Sequence, residues 1–197
     1  MEIQNPVSCH TMSKARFEYI NFTASEAEAI SGINGENQRN LRRHGYLPGA
    51  ARGWNRYSIE DLAQLIVIRF LSERGLPPKI SSEIAGQCAP MIAAYAILGD
   101  DGDLFAGAIE GADDRARNEL RKKYAPHGLK RYALALEPNP TKIKFVNDLT
   151  KIFYAKAELG GTGALAFDLK FYALLIFDGV KPRPLVKVIA EGKEAAA

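Results

Sequence analysis

The sequence predicts a mainly α-helical N-terminal half, residues 15–99, followed by a small α+β domain, residues 104–192. Three observations carry this reading. Apolar residues with capping residues ahead of them mark helices as far as Leu98. Beyond the break at Asp100-Asp101-Gly102-Asp103, short runs bounded by Pro and Gly read as strands. The chain has 197 residues, 47% of them hydrophobic and 25% charged, enough for one large core or two small ones.

Met1 to about Lys14 reads as a polar lead-in. Phe22-Thr23-Ala24-Ser25-Glu26 holds a Thr followed three residues later by Glu, the capping box that opens a helix and turns Ala27 and Ile30 inward. Ser31-Gly32-Ile33-Asn34 breaks that helix and offers Asn34 as the next cap. Glu36 to His44 is then a second short helix, closed by Gly45 and Pro48. Pro48 to Tyr57 is a loop or small hairpin. Ser58-Ile59-Glu60-Asp61 caps a third helix, apolar nearly all round from Leu62 to Leu71, and such a helix is buried on more than one side. Gly75-Leu76-Pro77-Pro78 stops it, and Ile80 to Leu98 forms a fourth helix rich in small residues.

In the second half, Asp113 to Lys123 reads as a charged amphipathic helix. Arg131–Leu136 and Lys142–Val146 read as strands bounded by Pro138-Asn139-Pro140, with another expected around Ile152-Phe153-Tyr154. After the turn at Gly160-Gly161-Thr162-Gly163 come an expected strand at Ala164–Phe167, a helix at Asp168–Phe177 and a last strand at Leu185–Ile189.

Cys9 and Cys88 form no C-x-x-C pair, and His10, His44 and His127 are scattered without metal-ligand spacing, so no metal or cofactor is expected. Asp100 to Asp103 resembles the start of a calcium loop, but Gly111 stands where the closing Glu belongs. Gly160 to Gly163 lacks the Lys-Ser/Thr pair of a phosphate-cradling loop. Cys88 and the aromatic set Phe167, Phe171, Tyr172 and Phe177 read as core. No nucleophile, base and orienter combine, so an enzyme is not expected. The first residues lack a signal peptide's basic start and apolar core, and no apolar run approaches the ~20 residues that span a bilayer. With few cysteines, a reducing cytoplasm is the expected location.

The net charge of +3 is mild, but it is unevenly placed. Between Asn34 and Tyr57, Arg39, Arg42, Arg43, Arg52 and Arg56 face a single acid, Glu36, a local charge of +4. Two short helices joined by a glycine turn, the second one polar and basic, follow the helix-turn-helix plan, in which the second helix enters the major groove. Asn and Arg side chains bond adenine and guanine edges in pairs. Asn37, Arg39, Asn40, Arg42 and Arg43 are therefore the candidates on that helix. In the loop, Arg52 and Arg56 flank Trp54, with Tyr57 next, a grouping suited to the sugar-phosphate backbone. Trp54 serves equally well as a plug at the loop's base. A basic helix face alone is an ordinary solvated surface; the turn and loop beside it turn the reading toward DNA.

Gly32-Ile33-Asn34 through Gly45-Tyr46-Leu47-Pro48, then Gly53-Trp54-Asn55-Arg56-Tyr57-Ser58-Ile59-Glu60-Asp61-Leu62, resembles the DNA-binding domain of the MerR family, and Gly75-Leu76-Pro77 and Glu83-Ile84 match its approach to a fourth helix. The resemblance covers roughly residues 22–89. It implies a winged helix-turn-helix, with Arg39 and Asn40 near bases, Arg43 and Arg56 near phosphates and Tyr57 bracing the wing. Two features depart from the family. Gln38 stands where an apolar residue is usual, implying a rotated or loosely packed helix, and no long dimerisation helix follows Leu98. The paired Cys ligands of metal-sensing members are missing, so metal sensing is not implied.

The expected function is that of a sequence-specific transcriptional regulator on double-stranded DNA, dimerising through its C-terminal half. That half is open to a small-molecule effector or a protein as well. The alternatives are an excisionase-like architectural protein that bends DNA and an interaction module that has kept the fold without binding DNA.

Overall fold

The computed structural model describes residues 15–48, 56–99, 108–136, 139–151 and 164–189. The chain enters through strand β1 (Arg16–Tyr19), then runs through helices α1 (Ala24–Ser31), α2 (Gly35–Arg43), α3 (Ile59–Ser72) and α4 (Pro78–Leu98). Strand β2 (Ile109–Glu110), helix α5 (Asp114–Tyr124) and strands β3 (Tyr132–Leu136) and β4 (Asn139–Val146) follow. A 3₁₀ turn (Leu149–Lys151), strand β5 (Ala164–Asp168), helix α6 (Leu169–Val180) and strand β6 (Val186–Ile189) complete the described residues. The architecture is mixed: a helical part followed by a small α+β part.

Local chemistry starts and stops these helices where the sequence indicates. Thr23 and Ser58 each open a full capping box, Asn34 and Asp113 cap α2 and α5 through their side chains, and Asp168 accepts from Lys170 N and Phe171 N at the head of α6. Pro78 starts α4, where its missing N–H leaves nothing unbonded and its fixed φ already suits a helix. Helices α2 and α3 end alike. Tyr46 N donates to Leu41 O (2.8 Å) and Gly45 N to Arg42 O (3.0 Å), while Leu76 N donates to Leu71 O (3.1 Å) and Gly75 N to Ser72 O (3.0 Å). Both glycines stand at positive φ, the left-handed turn that closes such an end.

The core is built on α3 and α4. Ile59, Leu62, Leu65, Ile66, Val67, Ile68 and Leu71 are all buried along α3, and α4 answers with Ile84 and Ile92 set among the small Ala85, Cys88, Ala89 and Ala93. Helix α6 covers the pair, with the Phe70 ring edge-on to Phe167 (5.7 Å) and to Tyr172 (5.6 Å). The aromatic set expected as core is buried at Phe167, Tyr172 and Phe177, while Phe171 is exposed.

Two three-stranded sheets flank the helices. One has the order β1-β6-β2, with β6 antiparallel to β1 and parallel to β2; the other, β4-β3-β5, is antiparallel throughout. Strands β1 and β2 have no counterpart in the sequence reading. Asn139 and Pro140, expected as a boundary, belong to β4 itself. The segments 15–99 and 104–192 share one sheet, through β1 and β6, and one apolar core running from Phe22 to Val186. The lead-in to Lys14, the expected strand at Ile152-Phe153-Tyr154 and the loops at Asp100–Asp103 and Gly160–Gly163 lie outside the described residues.

Candidate nucleic-acid interface

The turn between α1 and α2 is held from several sides. Gly32 sits at φ 72°, and its bare Cα faces the Arg69 guanidinium so closely that a Cβ would stand 1.8 Å from Nη1. Arg69 Nη1 donates to Ser31 O (3.2 Å) while its Nε pairs with Glu73 (2.7 Å). Ser31 Oγ donates to Ala27 O (2.6 Å) and accepts from Ile33 N (3.2 Å). Asn34 Oδ1 accepts from Asn37 N (2.9 Å), and Glu28 Oε2 accepts from Gly35 N (3.2 Å), placing a carboxylate at the positive end of α2.

Gln38 corrects an expectation. Its side chain is 0% exposed, and Nε2 donates to both Ile33 O (2.7 Å) and Ala24 O (3.1 Å). A residue expected to rotate or loosen α2 instead ties it to the turn and to the first residue of α1. Its Oε1 has no hydrogen-bond partner among the described residues.

With Gln38 pointing inward, helical geometry decides what faces out. Residues two apart on a helix lie nearly opposite, and 36, 39, 40 and 43 share one face. Glu36, Arg39 and Arg43 are exposed there, with Asn40 partly so; Asn37 is exposed on the flank. Arg42 turns back toward the body of the protein. Its guanidinium lies 3.9 Å from the Tyr57 ring centre, and Nη2 donates to Arg56 O (2.8 Å). Tyr57 is buried, paired by two backbone hydrogen bonds with Phe22 (2.8 and 2.9 Å). Burial pushes its hydroxyl above the usual phenol range against the pull of Arg42. Arg56 is exposed, and Arg52 and Trp54 lie outside the described residues. Of the nine candidates, the structure thus brings Arg42, Arg56 and Tyr57 together as one joint and turns Arg39, Asn40 and Arg43 outward.

Beside this joint lies a cleft of about 440 Å³ between β1, the segment around Arg56, the start of α3 and the end of α5. Arg56, Glu60, Asp61 and Lys123 line it together with Tyr19 and Tyr124. Lys123 Nζ donates to Tyr19 Oη (2.9 Å) and sits 4.4 Å from that ring and 5.1 Å from the Tyr124 ring. Burial pushes the Tyr124 hydroxyl well up, aided by its hydrogen bond with Tyr19 and by the charge of Glu60.

Sequence reasoning missed Arg69, Lys123 and Ser82, whose Oγ donates to Tyr46 O (2.7 Å) behind α2. Arg69 carried a signal, as the only cation in an otherwise apolar run of α3. Lys123 carried none, because its place in the cleft that Arg56 also lines depends on the packing of α5. Among the described residues no group of His, Cys, Asp and Glu could hold a metal ion. Burial pushes the Cys88 thiol up to about 12, as befits a core group. No described helix is long and apolar enough to cross a membrane. No protein-family model matches the chain, and comparison with curated proteins finds no match.

Proposed function

We propose that the chain is a sequence-specific regulator that binds double-stranded DNA through a MerR-like winged helix-turn-helix. Helix α2 enters the major groove with Arg39 and Asn40 toward base edges and Arg43 toward a phosphate, and Arg56 holds the backbone from the wing. The observation that carries this reading is the outward face of Arg39, Asn40 and Arg43, set opposite an inward Gln38 that clamps α2 to the turn. Groove reading needs a helix whose outward side chains are held in register, and the Gln38 clamp and the Arg42–Arg56–Tyr57 joint supply that support. One such helix reads a short site, so a homodimer on a two-fold site, formed through the C-terminal half, belongs to the proposal.

The test is selection of bound sequences from a random duplex pool at two salt concentrations. An enriched, salt-sensitive motif with an internal two-fold repeat is the expected result. Binding without enrichment would instead support the architectural, DNA-bending reading, and failure to bind any duplex would leave an interaction module.

A further inference from the structure

We propose that the C-terminal end of α5 extends the DNA-contacting surface, Lys122 and Lys123 taking phosphates beyond the one met by Arg56. The proposal rests on the reading of the chain as a duplex-binding protein and names a second, separate element of its footprint. Its first support is charge. Arg121, Lys122 and Lys123 are three consecutive cations in the last turn of α5, with no acid among them. Its second support is position. Lys123 and Arg56 line the same cleft, and the carbonyl of Arg56 is bonded by Arg42 of α2. Arg56 thus joins α2, through its carbonyl, to a cleft whose lining includes Lys123 in the last turn of α5.

Lys122 and Lys123 are both exposed in that last turn. Lys123 uses one of its three ammonium hydrogens on Tyr19, which orients the group at the rim of the cleft. Asp61 and Glu60 line the cleft as well. Asp61 is engaged by Ser58 N (2.8 Å) in the capping box, and the exposed Glu60 keeps an anion from settling between the walls. A phosphate backbone would thus cross the rim, from Arg56 to Lys123 and Lys122. A basic last turn also complements the helix dipole, and that role alone would leave DNA binding untouched.

The experiment compares the full chain with its K122Q, K122Q/K123Q and R56Q variants on a mixed-sequence duplex, reading log K against log salt by fluorescence anisotropy. The slope is expected to flatten by about 0.9 for each lysine removed. An unchanged slope in K122Q/K123Q, with a flatter one in R56Q, overturns the proposal and leaves the DNA-binding reading standing. Failure of the parent chain to bind any duplex overturns both. If the double variant melts early, K122Q alone decides, because its side chain is exposed. Lysine-dependent binding to single-stranded RNA or to anionic vesicles, with none to the duplex, also overturns the proposal.

Discussion

Gln38, Arg42 and Gly32 are the residues on which the presentation of α2 depends. Gln38→Ala removes one buried and one partly buried hydrogen bond and opens a small cavity, for which a loss of about 2 kcal/mol is expected, read by urea denaturation. Gly32→Ala forces a left-handed residue and drives Arg69 off Ser31; the left-handed backbone alone costs about 1–2 kcal/mol. Arg42→Ala breaks the link to Arg56 and Tyr57. Its expected signature, on the proposed function, is weaker binding to every duplex, from a displaced Arg56, whereas Arg39→Ala should blur discrimination among sequences. Anisotropy on matched and mismatched duplexes separates the two. Gln38 shows why the site was only partly legible. A polar residue at an inward helical position can be read from spacing, but the two carbonyls that accept its hydrogens belong to α1 and the turn, and only folding brings them there.

At the scale of the element, the helices owe their limits to local chemistry, and that chemistry gives a pH dependence. Glu26 takes the Thr23 backbone N–H (2.7 Å) and pairs with Arg183 (2.6 Å). The Thr23 backbone bond, followed by the Thr23 hydroxyl and Arg183, holds its carboxyl below the usual carboxylate range despite partial desolvation. A carboxylate with a lowered folded pKa stabilises the fold above its unfolded value near 4.5 and loses that contribution as pH falls through the folded value. Thermal melts from pH 6 down to pH 3 should therefore fall less steeply in Glu26→Gln than in the parent. Ser58→Ala removes the cap of the central helix, with an expected cost of about 1 kcal/mol. Such elements were legible because Thr23, Asn34 and Ser58 each act within three residues of their own position. Strands β1 and β2 were not, because a strand of two to four residues is defined by a partner, here β6, remote in the chain.

For the whole molecule, the core that joins the helical and α+β parts predicts a single cooperative unfolding transition, with far-UV and near-UV circular dichroism superimposing. Cys88, buried in α4 with its thiol pushed up to about 12, reports on the same event. In a Cys9→Ser variant, a thiol reagent at pH 8 should label Cys88 only as fast as the protein opens globally. Labelling at the rate of a free thiol would show that α4 is reachable in the native state.

The sequence by itself determined the helices α1 to α6 to within a few residues, the caps and glycine stops that bound them, and the basic character of the stretch from Asn34 to Tyr57. These follow from interactions a few residues long. Tertiary structure alone decided that Gln38 is a clamp, that Arg42 serves the Arg56–Tyr57 joint, that Lys123 lines the same cleft as Arg56, and that the first described strand pairs with the last. Each of these depends on groups distant in the chain, whose meeting is set by packing around α3 and α4 rather than by any local preference.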